Sequence, residues 1–600
     1  MPARQAQKAD LTQITARIDF SDPDDSTAPR LRHAFGLPRA VLVAHAPHEV
    51  RAVLDAVQAA AAQGAWCVGY LRYEAAPAFD AALAVQAADG PLAWFAVHDI
   101  ALPWPEDDSD AAACVEWTES CPRPVFGAAM DRIQGAIAAG ELYQVNLTAP
   151  LEGAWQGVPL PGASQALFAA LQRAQPGGYA AFIDTGGADG QLLSVSPELF
   201  FDWWDGQILA RPMKGTAARS ATPEADAAQA AGLRASPKER AENVMIVDLL
   251  RNDLSRIAES FSVRVPTLFH TQALPSVWQM TSDVRARTRA GASLADVFGA
   301  LFPCGSVTGA PKVRAMQMIR ALEAGPRGVY CGAIGIVRPG APGQGIRATF
   351  NVPIRTVTVR HGALRCGIGS GITSGAGPDA EWQEWRDKRK FLERASRPFE
   401  LLETLALEDG QLRHADAHLQ RLAGAAAHFG HAFDRAGVQR CLHALARAHP
   451  QGLWRVRLLL DAQGRPRAEA FAMEASPALV RLRLATKPLE AAHGEFVRFK
   501  TTRRAHYDAF TPLEADVFDT VLWNEQGQVT ECTRGNVAML LDGRWVTPPL
   551  ACGLLPGVGR ALALQAGRLV ESEVWLDDLP RVQGWAFINS LRGWIGAEMA

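Results

Sequence analysis

Two pairs of glutamates stand three residues apart in segments of helical periodicity: Glu239 and Glu242 within 238–253, and Glu381 and Glu384 in Glu381-Trp382-Gln383-Glu384. That spacing puts both carboxylates of a pair on one helix face. Two such pairs facing each other would make an oxygen-rich site for Mg²⁺, a hard cation that keeps several waters and also binds substrate oxygens. A solvated helix face is the alternative reading of either pair alone. Glu198 follows a proline in Ser196-Pro197-Glu198-Leu199-Phe200, within a strand-like run from Leu192 to Trp204; taken alone it reads as a surface or satisfied carboxylate. Lys214 precedes Gly215 and Thr216, a pair able to bring backbone N–H groups close to an anion.

Elements must hold these groups. Short β-like runs at Ala40–Ala44 and Ala93–Val97 alternate with an alanine-rich helical segment from His48 to Ala62, an α+β pattern. An acidic passage from Glu106 to Glu119 reads as a surface loop, and a helix starts near Val125 and stops at Gly140. Arg219–Ala235, rich in Ala, Ser and Thr with Pro223, reads as a second loop. A charged helix from Glu381 to Arg397 ends at Pro398. The pattern then restarts with a strand from Phe399, an Asp409-Gly410 turn and a helix from Asp416 to Phe429, which places a junction near residue 396.

At 600 residues the chain is long enough for about three or four units by the usual domain size. Its 60 Lys+Arg against 63 Asp+Glu leave a formal charge of −3, so no global basic field advertises a nucleic acid or an anionic membrane as partner. Apolar residues at 48% and charged residues at 20% describe a soluble globular chain. The nine cysteines form no CxxC pair and no cluster at zinc-ligand spacing, which reads as scattered thiols in a reducing compartment. The N-terminal residues lack a basic segment followed by a long apolar one, and no uninterrupted apolar stretch reaches about twenty residues. A cytoplasmic location is expected.

A further cluster, Phe302-Pro303-Cys304-Gly305-Ser306-Val307-Thr308-Gly309-Ala310-Pro311-Lys312, is followed by Tyr330-Cys331-Gly332-Ala333-Ile334-Gly335, Asn351-Val352-Pro353-Ile354-Arg355-Thr356 and Gly367-Ile368-Gly369-Ser370-Gly371. With Gly140-Glu141-Leu142-Tyr143-Gln144-Val145-Asn146-Leu147 upstream, these strings resemble the chorismate-utilising enzymes, which include anthranilate, isochorismate, salicylate and aminodeoxychorismate synthases. The resemblance implies an αβ sandwich with an N-terminal subdomain over 1–120 and a chorismate-binding catalytic domain over 121–395. It implies that Arg355, Tyr330, Gly215, Thr216 and the backbone of Gly367, Ile368 and Gly369 hold chorismate, a guanidinium being suited to grip a carboxylate with two parallel bonds. It implies that Glu242 and Glu384 bind Mg²⁺, with Glu239 and Glu381 as direct or water-mediated ligands, and that Glu198 is the general acid.

Lys214 selects within the family. The string Pro212-Met213-Lys214-Gly215-Thr216 resembles aminodeoxychorismate synthases of the lysine type, whereas anthranilate synthases generally carry a small residue before Gly-Thr. The implied chemistry has the Lys214 amine add to C2 of chorismate as the C4 hydroxyl departs, after which ammonia adds at C4 and the lysine leaves. Such a lysine must be neutral, through burial or neighbouring cations. One departure is Gln279, in Val277-Trp278-Gln279-Met280-Thr281-Ser282, where many relatives carry a histidine; an amide can orient substrate but cannot transfer a proton at neutral pH.

The remaining residues carry His418-Leu419-Gln420-Arg421-Leu422, Lys500-Thr501-Thr502-Arg503-Arg504, the 527–537 segment with Glu531 and Asn536, and Gly553-Leu554-Leu555-Pro556-Gly557-Val558-Gly559-Arg560. In order and spacing these resemble the class IV pyridoxal-phosphate enzymes, a group of aminotransferases and aminodeoxychorismate lyases, over 396–600. The resemblance implies a two-subdomain α/β unit in which Lys500 bonds the cofactor, Arg421 binds its phosphate, and Glu531 stands beside its pyridine nitrogen. Asn536 and the N–H groups of Gly557, Val558 and Gly559 at a helix start complete the cofactor site. Many relatives carry threonine where Gly559 stands. Thr404 is a further active-site candidate.

Together the resemblances imply a fusion that aminates chorismate with ammonia to 4-amino-4-deoxychorismate and then eliminates pyruvate to give 4-aminobenzoate, a folate precursor. An anthranilate-type synthase joined to an aminotransferase, or a synthase carrying a catalytically silent binding module, are the alternatives. No glutaminase motif is present in these 600 residues, so free ammonia or a separate glutamine amidotransferase subunit is expected as the nitrogen source. The class IV likeness implies a homodimer.

Overall fold

Strand-forming runs such as Ala93–His98 and Tyr179–Asp184 are buried on both faces, which requires a layer on each side of each sheet. A computed structural model supplies those layers. It describes residues 13–25, 27–105, 114–187, 189–219, 223–273, 277–341 and 345–600. The chain divides into two units, Met1–Pro398 and Phe399–Ala600.

Among the described residues the first unit holds a nine-stranded and a ten-stranded sheet, both antiparallel. In the first, Gln144–Trp155, Ala363–Ile372, Thr356–Arg360, Gln191–Ser196, Tyr179–Asp184, Ala16–Phe20 and Leu31–Phe35 lie side by side. In the second, Val277–Arg287, Gln207–Arg211, Leu199–Trp204, Ile346–Asn351, Ala333–Pro339, Trp66–Leu71, Ala93–His98 and Ala40–Ala44 do so. Ile18, Phe20 and Leu192 from one sheet pack with Val68, Ile334 and Ile336 from the other to form the central core. Helices cover the outer faces: Pro47–Ala62, Pro237–Ser255 and Leu294–Leu301 over the second sheet, and Arg123–Ala138 and Ala163–Ala174 over the first. The architecture is an αβ sandwich.

Several expectations change. Two strands from the 1–120 segment join strands of the later residues: Ala16–Phe20 pairs with Tyr179–Asp184 and Trp66–Leu71 pairs with Ala333–Pro339. The expected loop Arg219–Ala235 contains the helix Pro223–Ala235, with proline in its first turn, Glu224 and Asp226 near its start and Arg234 near its end. Proline pre-sets the first turn and the charges complement the helix dipole, so these residues favour a helix despite their polar composition. Of the acidic passage 106–119, residues 106–113 lie outside the described residues, while Val115–Glu119 is a strand paired with Gln144–Trp155. The charged helix is two, Pro378–Lys388 and Lys390–Ala395, and the run 192–204 is two strands separated at Pro197-Glu198.

The second unit has a four-stranded antiparallel sheet, in which Leu401–Glu408 pairs with Leu453–Leu460, covered by the helices Ala415–Phe429 and Arg435–Ala448. It also has an eight-stranded mixed sheet, in which Leu479–Leu484 runs parallel to both Asp519–Trp523 and Gly593–Met599. The cysteines described are all free thiols, and no helix among the described residues is long and apolar enough to cross a membrane.

Phe201 is fully buried between Phe298 and Phe350, with ring centroids 5.2 Å from each. Truncation to alanine removes a ring that its neighbours cannot replace, so Phe201→Ala is expected to cost about 3–5 kcal/mol in urea unfolding followed by circular dichroism. A loss under about 1 kcal/mol would contradict this packing.

Candidate active sites

The first site grows from two crossovers. Pro197-Glu198 carries the chain from the first sheet to the second, and residues 352–355 carry it back from Ile346–Asn351 to Thr356–Arg360. Leaving a sheet exposes backbone groups in the interior, and the two crossovers satisfy each other. Val352 N–H donates to the Glu198 carbonyl (3.1 Å), Val195 N–H to the Arg355 carbonyl (3.1 Å), and Ser196 Oγ to the Val352 carbonyl (2.5 Å). Glu198 and Arg355, far apart in sequence, are thereby fixed in one corner.

Glu198 is 3% exposed and accepts from Ser306 Oγ at 2.7 Å. Burial pushes its carboxyl up to about 7, against the pull of Ser306, the Met213 N–H, Lys214 and Lys388. Arg355 adopts φ +50, uncommon for a residue with a Cβ, and burial lowers its guanidinium to about 10. It makes no ion pair among the described residues, and its guanidinium carbon lies 5.9 Å from the centroid of the Phe391 ring. A desolvated cation without a counterion is a seat for an anion. Tyr330 lies against Gly367, where any side chain would collide with its ring, so the glycine strand and the tyrosine form one wall.

Lys214 lies on the strand Met213–Ala218, which Gln279 braces from the next strand: its Nε2 donates to the Gly215 carbonyl (3.0 Å) and its Oε1 accepts from Thr216 Oγ1 (3.2 Å). The amide at position 279 therefore orients the Lys-Gly-Thr turn. Asn243 Nδ2 donates to the Lys214 carbonyl at 3.4 Å, and its Oδ1 accepts from Ser282 Oγ at 2.6 Å. The Glu242 carboxylate lies 3.6 Å from Lys214 Nζ. A side chain on Gly371 would fall 2.5 Å from Lys214 Nζ and 2.9 Å from Gln144 Nε2, which puts these polar ends side by side. Gln144 is fully buried and both its amide atoms lack a partner.

The four glutamates lie on the helices Pro237–Ser255 and Pro378–Lys388. Burial and then Glu242 raise the Glu239 carboxyl, and burial and then Glu384 raise that of Glu381. Burial also acts to raise Glu384, but Lys388, 2.7 Å away, outweighs it and leaves that carboxyl below its ordinary value. Glu381 accepts from Ser370 Oγ (2.5 Å), which accepts from Trp385 Nε1 (3.0 Å), and Glu242 accepts from Thr373 Oγ1 (3.2 Å). Among the described residues no three His, Cys, Asp or Glu side chains gather closely enough to cage an ion. Mutually repelling carboxylates on facing helices fit Mg²⁺ held through one or two of them and water, the manner in which Mg²⁺ commonly binds.

Sequence reasoning did not single out Ser306, Lys388 or Asn243 as site residues. Lys388 stands one turn after Glu384, a spacing that could have marked it; its Nζ also donates to the Gly369 carbonyl at 2.9 Å.

In the second unit, Lys500 sits where the segment after Glu495–Arg498 meets the small sheet, its carbonyl accepting from Leu402 N–H (3.0 Å). Burial, then Arg504 and Arg421, lower its amine to about 7, and its Nζ makes no ion pair among the described residues. Glu531, on the strand Val529–Cys532, accepts from Tyr507 OH (2.7 Å) and Leu555 N–H (3.1 Å), and burial raises its carboxyl to about 7. Asn536 Nδ2 donates to the Leu555 carbonyl (3.0 Å) and Arg421 Nη1 to the Pro556 carbonyl (3.1 Å). Three site residues thus tether the loop before Gly557, which caps the helix Val558–Gln565.

A side chain on Gly559 would meet the Asn589 carbonyl carbon at 2.6 Å, so close packing excludes threonine there. Thr404 is half-buried and alternates to the opposite strand face from Glu403. A neutral-leaning buried lysine, a buried carboxylate, an arginine and a helix start suit pyridoxal phosphate. Tyr507 and Arg504 went unpredicted; the Arg504 guanidinium lies 4.6 Å from the Tyr507 ring centroid.

Residues 15–394 match the chorismate binding enzyme family, and the chain belongs to that family. Residues 400–598 match the class IV amino-transferase family, so a class IV domain follows the chorismate-binding one. Over 272 residues the chain is 42% identical to aminodeoxychorismate synthase component 1 of Klebsiella aerogenes, covering 45% of this chain and 58% of that protein. Over 273 residues it is 36% identical to the Escherichia coli protein of the same name, covering 46% and 58%. The chain thus spans under three-fifths of the length of these curated relatives. The menaquinone-specific isochorismate synthase of Escherichia coli shares the fold of the first unit, at TM-score 0.51 and 17% identity over 65% of this chain and 90% of that one.

The Glu198 carboxyl sets a pH dependence. An ordinary glutamate loses its proton near 4.5, whereas folded Glu198 keeps it to about 7, so the folded state binds the extra proton between those values and stability falls as pH rises through them. Glu198→Gln removes that loss. The variant is expected to exceed the parent by roughly 2–3 kcal/mol at pH 8 and to match it near pH 4 in denaturant titrations. A gap that widened toward low pH would contradict the assignment.

Proposed function

We propose that the chain converts chorismate to 4-aminobenzoate in two steps, one in each unit. The observation that carries the first is Lys214 beside Glu242 and the unpartnered Gln144, in the same unit corner as Glu198 and the uncompensated Arg355. Arg355 grips a carboxylate of chorismate, and the Tyr330–Gly367 wall packs on its ring. The Lys214 amine adds to C2, the ring double bonds shift, and the C4 hydroxyl leaves as water with the proton of Glu198. Burial suits Glu198 to this, since it keeps that proton near neutral pH. Ammonia then adds at C4, the C2–nitrogen bond breaks, and Lys214 departs as an amine, giving 4-amino-4-deoxychorismate. Gln144 is the buried amide available to orient the ammonia. Mg²⁺, when bound at Glu242 and Glu384 with Glu239 and Glu381 near, would offset the charge of a substrate carboxylate.

In the second unit, pyridoxal phosphate, when bound, supplies an electron sink for the amine-bearing carbon of this product. Lys500, with an amine lowered to about 7, is suited to take the C4 proton of that molecule. Glu531 supports the pyridine edge, and Arg421 with Gly557, Val558 and Gly559 holds the phosphate. The enolpyruvyl side chain leaves as pyruvate and the ring becomes aromatic, which drives the step. The relatives named component 1 point to a second component; a separate glutamine amidotransferase is the proposed source of ammonia, and the class IV likeness supports a homodimer.

The test is product analysis with chorismate, Mg²⁺, ammonium and pyridoxal phosphate. Equimolar 4-aminobenzoate and pyruvate are expected. Lys214→Ala is expected to lower formation of the 4-amino product at least a hundredfold, and Lys500→Ala to leave 4-amino-4-deoxychorismate accumulating. Anthranilate or salicylate as the product would overturn the reading of Lys214, and accumulation by the parent protein would overturn the lyase half.

A further inference from the structure

Along the strand Leu401–Glu408, Leu401, Leu405 and Leu407 face the helix Ala415–Phe429 and are buried. Glu403 occupies the second position of this apolar stripe, between Leu401 and Leu405, and is 1% exposed, although an acidic residue there costs desolvation that a leucine would not. It is fully engaged. Arg421 Nε donates to its Oε1 (2.8 Å) and Arg421 Nη2 to its Oε2 (2.6 Å), and Oε2 also bonds His418 Nδ1 (2.6 Å). Burial alone would raise this carboxyl; Arg421 and His418 outweigh it and bring it to about 2, so it is ionised throughout the physiological range. His418, one turn before Arg421 on the same helix, is likewise 1% exposed, and its Nε2 is buried without a partner.

A third donor of Arg421, Nη1, reaches the Pro556 carbonyl, one residue before the cap of Val558–Gln565. A guanidinium has five N–H donors, so these three contacts fix its plane and leave two for a ligand. Two donors on one rigid plane match two oxygens of a phosphate. An ion pair serving stability alone would not need the link to the loop at the helix start.

We propose that Glu403 is the positioning residue of the cofactor seat: by holding Arg421 in one orientation against Pro556 it aims the two free donors at a phosphate monoester, and so makes the second unit select the phosphorylated cofactor over its unphosphorylated form. This rests on the class IV reading of the second unit and adds to it a residue that does not itself touch the cofactor. Supporting groups of this kind change affinity by about ten- to a hundredfold at metal sites, and a similar size is expected here.

The experiment compares equilibrium binding of pyridoxal phosphate and of pyridoxal to the full chain stripped of cofactor, followed by absorbance. The parent is expected to favour pyridoxal phosphate strongly. Glu403→Ala and Glu403→Gln are expected to lower that preference at least tenfold through weaker pyridoxal phosphate binding, with pyridoxal binding unchanged. Arg421→Ala should do the same, and the Glu403→Ala/Arg421→Ala double variant should lose no more than Arg421→Ala alone, because the first residue acts through the second. Unchanged binding of pyridoxal reports that the second unit of each variant is folded. An unchanged preference in both Glu403 variants, equal losses for both ligands, or additive losses in the double variant would overturn the proposal while leaving the class IV reading intact. A parent protein that binds the two ligands equally would overturn both.

Discussion

The chemistry of the first unit depends on two crossovers that satisfy each other's backbone. A chain passing between packed sheets carries N–H and carbonyl groups into a space with no water, where each unpaired group costs about 1–3 kcal/mol. Here the bonds among Val195, Ser196, Glu198, Val352 and Arg355 remove that cost by locking one crossover to the other. The same lock holds Glu198 inward, where it is 3% exposed. Its raised proton affinity follows from topology, and the bond from Ser306 then fixes which way the carboxyl faces.

Buried ionisable groups in this protein divide by what stands next to them. Arg327 is buried, but it is bonded to Glu323 and to the carbonyls of Asn146 and Val307, so it is already satisfied. Among the described residues Arg355 has no such partner and carries the cost of its own desolvation. The same contrast separates Glu403, saturated by Arg421 and His418, from Glu531, whose two bonds do not offset its burial. Burial alone is a poor guide to function; burial with an unmet electrostatic demand is a better one.

Local features were readable from sequence. The Asp409-Gly410 turn appears with both residues at positive φ, and the helices Pro47–Ala62 and Ala415–Phe429 lie within a residue of their expected starts. What escaped was non-local or read by composition. The strand Val115–Glu119 carries two glutamates and buries only Val115, with Trp117 packed against the core, so its composition announces its pairing with Gln144–Trp155 only weakly. Pro223–Ala235 resembles a loop only while its proline is counted as a breaker and not as a first-turn residue. Ser306 and Lys388 matter through what they touch, and those contacts exist only once the sheets are assembled. Glu403 was passed over for its neighbour Thr404, because strand alternation without a partner helix does not say which face holds the site.

The interleaving of the first unit's sheets also governs how it is made. Ala16–Phe20 finds its neighbours at Leu31–Phe35 and Tyr179–Asp184, the second of these some 160 residues later. Translation at about 5–20 residues per second leaves that edge open for roughly ten to thirty seconds. Trp66–Leu71 waits longer still for Ala333–Pro339. The nascent chain therefore presents apolar strand edges to water or to a chaperone well before either sheet can close, and the seam that bears Glu198 and Arg355 is among the last parts of the unit to come into being.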